Sequence, residues 1–125
     1  MQSKEIISSS SAKLLKSYMQ QESDKHRRAG KKLPLSNDNV RMGGKTGTPE
    51  RVLPQRMWSN KRKPETSNDA WYIFFIQSET QNAPLAVAVR LERLGLGSGN
   101  GSGKAVQFVG DVIIPVLNEA GYKVK

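Results

Sequence analysis

The chain has 125 residues, with 20 Lys+Arg, 11 Asp+Glu, one His and no Cys; this length supports one domain burying roughly two-thirds of its unfolded surface. The lack of Cys excludes disulfides, thiol nucleophiles and thiolate metal sites, and a single His excludes a multi-histidine metal centre. No apolar run reaches the roughly 18 residues of a membrane span, and Met1–Ile7 is too polar for a secretory signal.

The net charge of +9 is lopsided. Residues 1–65 carry 15 Lys/Arg and 6 Asp/Glu, whereas residues 66–125 carry 5 of each. The first half therefore reads as a basic surface and the second as a neutral packing unit. A basic half suits nucleic acid, anionic lipid or an anionic substrate.

From Ile6 to Met19 the chain reads as a capped amphipathic helix. The serines Ser8–Ser11 supply N-cap acceptors, and Leu14, Leu15, Tyr18 and Met19 form a stripe at helical spacing. The pattern fades through Gln20–Arg28 and ends near Gly30. Asn39–Thr48 predicts a strand whose interior glycines mark close approach of another backbone. Residues 49–68, with Pro49, Pro54, Pro64 and the run Lys61-Arg62-Lys63, read as a long flexible loop.

Asp69–Gln77 is aromatic and β-branched, the signature of a strand. Leu85–Glu92 alternates, with Leu85, Val87, Val89 and Leu91 facing one way and Ala86, Ala88, Arg90 and Glu92 the other. Residues 94–103 form a glycine-rich connector. Lys104–Ala120 predicts a helix that Pro115 kinks and Gly121 caps. The fold expected is α+β: an N-terminal helix, a three-stranded antiparallel sheet and a C-terminal helix packed on it.

The motif with most chemical content is Lys45-Thr46-Gly47-Thr48, preceded by Gly43-Gly44. It ends a strand, and Asp69-Ala70-Trp71-Tyr72 opens the next. This arrangement resembles the C-terminal part of the penicillin-binding transpeptidase family, over about Ile6 to Val124. The resemblance implies a strand that lines an active site and binds a D-alanyl peptide or a β-lactam. Lys45 would supply positive charge, and Thr46 and Thr48 hydroxyls for a carboxylate. Gly47 would allow close approach, and the Thr48 backbone N–H would serve an oxyanion hole. Trp71 would flank the substrate. No cofactor and no metal is implied.

The family also uses Ser-x-x-Lys, whose Ser is acylated, and Ser-x-Asn. Ser10-Ser11-Ala12-Lys13 matches the first formally, but it precedes Lys45 too closely to hold the intervening helical region, and N-capping explains the serines better. Ser98-Gly99-Asn100 follows Lys-Thr-Gly instead of preceding it. The expectation is a single partial domain over 1–125, inactive alone, whose nucleophile comes from elsewhere. Its partners would be a peptidoglycan stem peptide or β-lactam, and either a complementary N-terminal segment or a second copy meeting the exposed edge of Leu85–Glu92. The family works on the outer face of the cell membrane, so the resemblance implies a periplasmic location, with any membrane link supplied by other sequence.

Other features carry less. Ser98–Ala105 fails the phosphate-loop pattern at both Ser98 and Ala105. His26, among Lys25, Arg27 and Arg28, reads as solvated. Trp71, Tyr72, Phe74 and Phe75 read as core, and Arg90 with Glu92 as a surface pair. The alternative function is a small basic nucleic-acid-binding protein using Lys25–Lys32 and Lys61–Lys63 around an aromatic sheet, although the family resemblance implies no nucleic acid. A second alternative is a noncatalytic interaction domain with the transpeptidase fold.

Overall fold

A computed structural model describes residues 4–34, 39–78, 84–92 and 101–122. Most of the glycine-rich connector and the Ser98-Gly99-Asn100 triplet lie outside the described residues. The architecture is α+β in the expected order. Helix α1 (Ser9–Arg28) precedes strands β1 (Val40–Gly47), β2 (Glu50–Val52), β3 (Thr66–Asn68), β4 (Ala70–Ser78) and β5 (Leu85–Leu91). The C-terminal helix runs through α2 (Gly101–Phe108), a π-turn at Val109–Ile113 and α3 (Ile114–Glu119).

Each helix end has a local cause. Ser8 stands in extended geometry and its hydroxyl accepts from the Ser11 N–H at 3.2 Å, capping α1. Gly30 and Gly121, at φ 91° and 92°, let the chain reverse out of α1 and α3. In both, the next residue's N–H reaches back to the helix, Lys31 to the His26 carbonyl and Tyr122 to that of Leu117. Pro115 does not kink a regular α-helix. The π-turn precedes it, with the Ile114 N–H donating to the Val109 carbonyl, and α3 restarts with proline in its first turn, where no N–H is needed.

The main sheet has the order β1-β4-β5, antiparallel throughout. One face carries Met42, Tyr72, Phe74, Ile76 and Val89, all buried. Ala105, Val106, Val109, Ile114 and Leu117 of the C-terminal helix complete that core. The opposite face is open: Ile73 is 46 % exposed, and Ala86 and Ala88 are exposed.

Gly43 and Gly44 decide how α1 docks. A Cβ on Gly43 would fall 2.6 Å from the Phe75 ring and 2.9 Å from the Gln20 backbone nitrogen of α1. One on Gly44 would fall 2.3 Å from the Tyr72 hydroxyl. These glycines admit a helix backbone on one side and a tyrosine ring on the other, as the sequence expectation of close approach requires.

The stripe read in the sequence of α1 points away from the core at Leu14, Leu15 and Tyr18, each more than half exposed. The residue of α1 that is fully buried is Ser23, whose hydroxyl lies 2.7 Å from that of Tyr72. Residues 49–68 are also not a structureless loop. Strands β2 and β3 pair antiparallel, Leu53 N–H donates to the Glu65 carbonyl at 2.8 Å, and a 3-10 turn at Gln55–Met57 lies between. The Glu65 carboxylate accepts from the Ser59 hydroxyl and N–H, which holds its pKa below the usual range. Lys61 donates to the Gln55 and Arg56 carbonyls, and the Trp58 indole to that of Leu53 at 2.7 Å.

Candidate functional site

Strand β1 lies at the rim of the sheet and carries the Lys45–Thr48 motif at its end. Register with β4 aligns Lys45 with Ile73, Thr46 with Tyr72 and Gly47 with Trp71. Strand alternation therefore sets Lys45, Gly47, Ile73 and Trp71 on the open face and Thr46 on the other. Thr48 follows the last strand residue and is exposed. A ligand lying along the rim reaches side chains of both faces, which a ligand confined to one face does not.

Lys45 is exposed, and its ammonium donates to the Thr46 carbonyl at 3.1 Å. Gly47 differs from Gly43 and Gly44. A Cβ there would meet only the Trp71 Cβ, at 3.7 Å, an ordinary contact. The space above Gly47 is thus open to a ligand and not filled by the fold.

Trp71 is half-buried, and the Arg90 guanidinium stacks on its ring at 5.5 Å from the centroid. Arg90 donates to the Asp69 carboxylate at 2.6 and 3.1 Å and pairs with Glu92 at 3.0 Å. The hydrogen bond to Asp69 raises the Arg90 pKa. Asp69 is buried and also faces Arg51 at 3.5 Å. It therefore ties the start of β4 to β5 and β2 and steadies Trp71 beside the motif. The sequence shows the Arg90–Glu92 pair and the Asp69-Ala70-Trp71-Tyr72 motif but not the ion pair that joins Asp69 to Arg90. Its signal was the register that sets Arg90 opposite Trp71, which no single strand reveals.

Beside Lys45, α1 and the open face of the sheet enclose a groove of about 700 Å³. Its floor is Leu15, Tyr18, Met19 and Ile73. Lys25, Arg28 and Lys45 line it together with Glu22. No serine is among its described lining residues. Ser10 sits in the first turn of α1, its hydroxyl 3.0 Å from that of Ser8, ahead of the stretch that faces Lys45.

His26 is only partly solvated. It is half-buried, and its ring meets Tyr72 edge-on at 6.2 Å. Its Nε2 is buried without a hydrogen-bond partner. Burial lowers the His26 pKa; Lys25, Lys31 and Lys45 lower it further and Glu22 opposes them. Burial pushes the Tyr72 hydroxyl up to about 12, against the hydrogen bond it shares with Ser23. Tyr72 and Phe74 belong to the core as expected, whereas Trp71 and Phe75, expected there too, are half-buried on the opposite face, with Lys16 over the Phe75 ring.

No family model, curated protein or solved structure matches the chain. Among the described residues there is no cluster of His, Asp and Glu able to hold a metal. Among the same residues, no helix is long and apolar enough to cross a membrane.

Proposed function

We propose that this chain is the substrate-binding segment of a penicillin-binding transpeptidase domain. The observation that carries the reading is Lys45-Thr46-Gly47-Thr48 ending a rim strand that pairs with the strand opened by Asp69-Ala70-Trp71-Tyr72. The open space over Gly47 and the exposed Lys45 and Thr48 support it.

In this reading an extended D-alanyl peptide, or a β-lactam in its place, lies along the β1 rim. Its carboxylate meets the Lys45 ammonium and the Thr48 hydroxyl, as charge-assisted hydrogen bonding favours. The Thr48 N–H donates to the oxygen that becomes negative on acylation. Trp71, steadied by Arg90, flanks the ligand. The acylated serine and its Lys and Asn partners come from a complementary segment, which would also pair with the outer edge of β5. The full reaction is acyl transfer from the peptide to that serine, with release of D-alanine, then transfer to an amine. It proceeds on the outer face of the cell membrane.

The test is intact-mass measurement after incubation with a reactive penicillin. The chain alone is expected to stay unmodified. Mixed with a complementary Ser-x-x-Lys segment it is expected to support an adduct on that segment, lost with Lys45→Ala. A stoichiometric adduct on the isolated chain at Ser10, or acylation indifferent to Lys45→Ala, refutes the reading.

A further inference from the structure

The groove between α1 and the sheet has a property that acyl transfer does not use. Its floor is apolar yet uncovered: Leu15 is 52 %, Tyr18 59 % and Ile73 46 % exposed. Three cations, Lys25, Arg28 and Lys45, line it against one acid, Glu22. The polarity is also graded along α1. The helix cations that line the groove, Lys25 and Arg28, stand toward its C-terminal end, and toward the N-terminus the apolar track continues with Lys16 as the one cation beside it among the described lining residues. A hollow of about 240 Å³ shares Leu15 and Met19 with the groove and reaches Phe75, Ala12 and Ile7. From Lys25 back to Ala12 the helix rises about 20 Å, comparable to one extended long acyl chain.

We infer that this groove binds a single-chain lipid anion, a long-chain fatty acid, with its carboxylate at Lys25, Arg28 and Lys45 and its chain along Leu15, Met19 and Ile73. A concave site of this volume matches a small ligand. The floor residues lie between helix and sheet, which favours one monomeric chain over a bilayer surface. Charge complementarity sets the direction of the chain: a carboxylate gains three cations at one end, against Lys16 alone among the described residues that line the other, where it lies over the Phe75 ring. The inference shares Lys45 with the transpeptidase reading but requires neither Thr46, Thr48 nor acylation, so it can hold where that reading fails.

His26, the single histidine of the chain, reports on the site. The groove cations Lys25 and Lys45, with Lys31, depress its pKa beyond the effect of burial. A carboxylate seated among them offsets that field, so the His26 pKa rises on binding.

The experiment follows the His26 ring and the methyl resonances of the intact chain by NMR, titrated with laurate and palmitate below their micelle concentrations. Expected are a rise in the His26 pKa, shifts at Leu15, Met19 and Ile73, and palmitate binding at least about tenfold tighter than laurate, because each buried methylene contributes a factor of about four. Lys25→Gln with Arg28→Gln is expected to weaken binding about three- to tenfold. Leu15→Asp, an exposed change, is expected to abolish it while Val106 and Tyr72 resonances stay in place; Thr48→Ala is expected to leave it unchanged. Equal binding of hexadecyltrimethylammonium, equal affinity for both acids, no response to palmitate, or binding only to phosphatidylglycerol vesicles each overturns the inference.

Discussion

Gly44→Ala is the sharpest test of how the helix and sheet meet. The new Cβ would lie 2.3 Å from the Tyr72 hydroxyl oxygen, 2.4 Å from Cζ and 2.6 Å from Cε2. Tyr72 is fully buried, stacks on Phe74 at 5.6 Å and is held by Ser23, so its ring has nowhere to retreat. Forcing one methyl into a packed core costs about 1–3 kcal/mol. Parting the Ser23 and Tyr72 hydroxyls leaves buried polar groups unpaired, at about 1–3 kcal/mol more. A loss near 3–4 kcal/mol is a large share of the roughly 5–15 kcal/mol that holds a domain of this kind together. The assay is urea unfolding followed by Trp fluorescence, with Gly47→Ala as the partner variant. At Gly47 the same methyl meets only the Trp71 Cβ at 3.7 Å, so the expected change is within about 0.5 kcal/mol. Tyr72→Phe does not rescue Gly44→Ala, since ring carbons still clash. Equal midpoints for the Gly44 and Gly47 variants would refute the assignment of Gly44 to packing and Gly47 to ligand space.

Two further predictions concern pH and self-association. Because folding lowers the His26 pKa, the unfolded chain binds its proton first as pH falls; stability is therefore full above about pH 6.5 and declines below it. His26→Gln flattens that decline in urea midpoints measured between pH 7 and 5, and an unchanged slope contradicts it. The outer edge of β5 has no strand partner among the described residues, so light scattering at micromolar concentration is expected to show self-association. Ala88→Lys, which adds charge at an exposed position without entering the core as a change at Val89 would, is expected to suppress it; a monomer in both forms argues against the free edge.

Much of the fold is legible in the sequence where periodicity is undiluted. Ala70–Ser78 and Leu85–Leu91 alternate over a face covered by one helix, so pattern and burial coincide. Helix α1 is legible as a helix but not in its orientation. Its most apolar stripe faces outward, because the glycine pair brings Gln20 and Ser23 to the sheet and the Tyr72 hydroxyl requires a polar partner. Hydrophobic periodicity records what a helix offers and not what its neighbour needs. The three-residue strands β2 and β3 hold one aliphatic residue between them, Val52, and rest on backbone pairing and the Glu65 carboxylate, which leave no period to read. Of the site, the motif was legible as a strand end. The Asp69–Arg90–Trp71 support depends on β4–β5 register, which a single sequence does not state. The groove was not legible, since it exists only because the α1 stripe is uncovered.

The central claim is that Lys45–Thr48 forms a carboxylate- and acyl-binding rim, and amide NMR of the isolated chain with millimolar benzylpenicillin tests it most directly. The account predicts reversible shifts centred on the Gly47 and Thr48 amides and the Trp71 indole, no mass adduct, and loss of those shifts in Lys45→Ala with the fold intact. Amide shifts elsewhere with Gly47 and Thr48 unmoved, or identical shifts in Lys45→Ala, would contradict it.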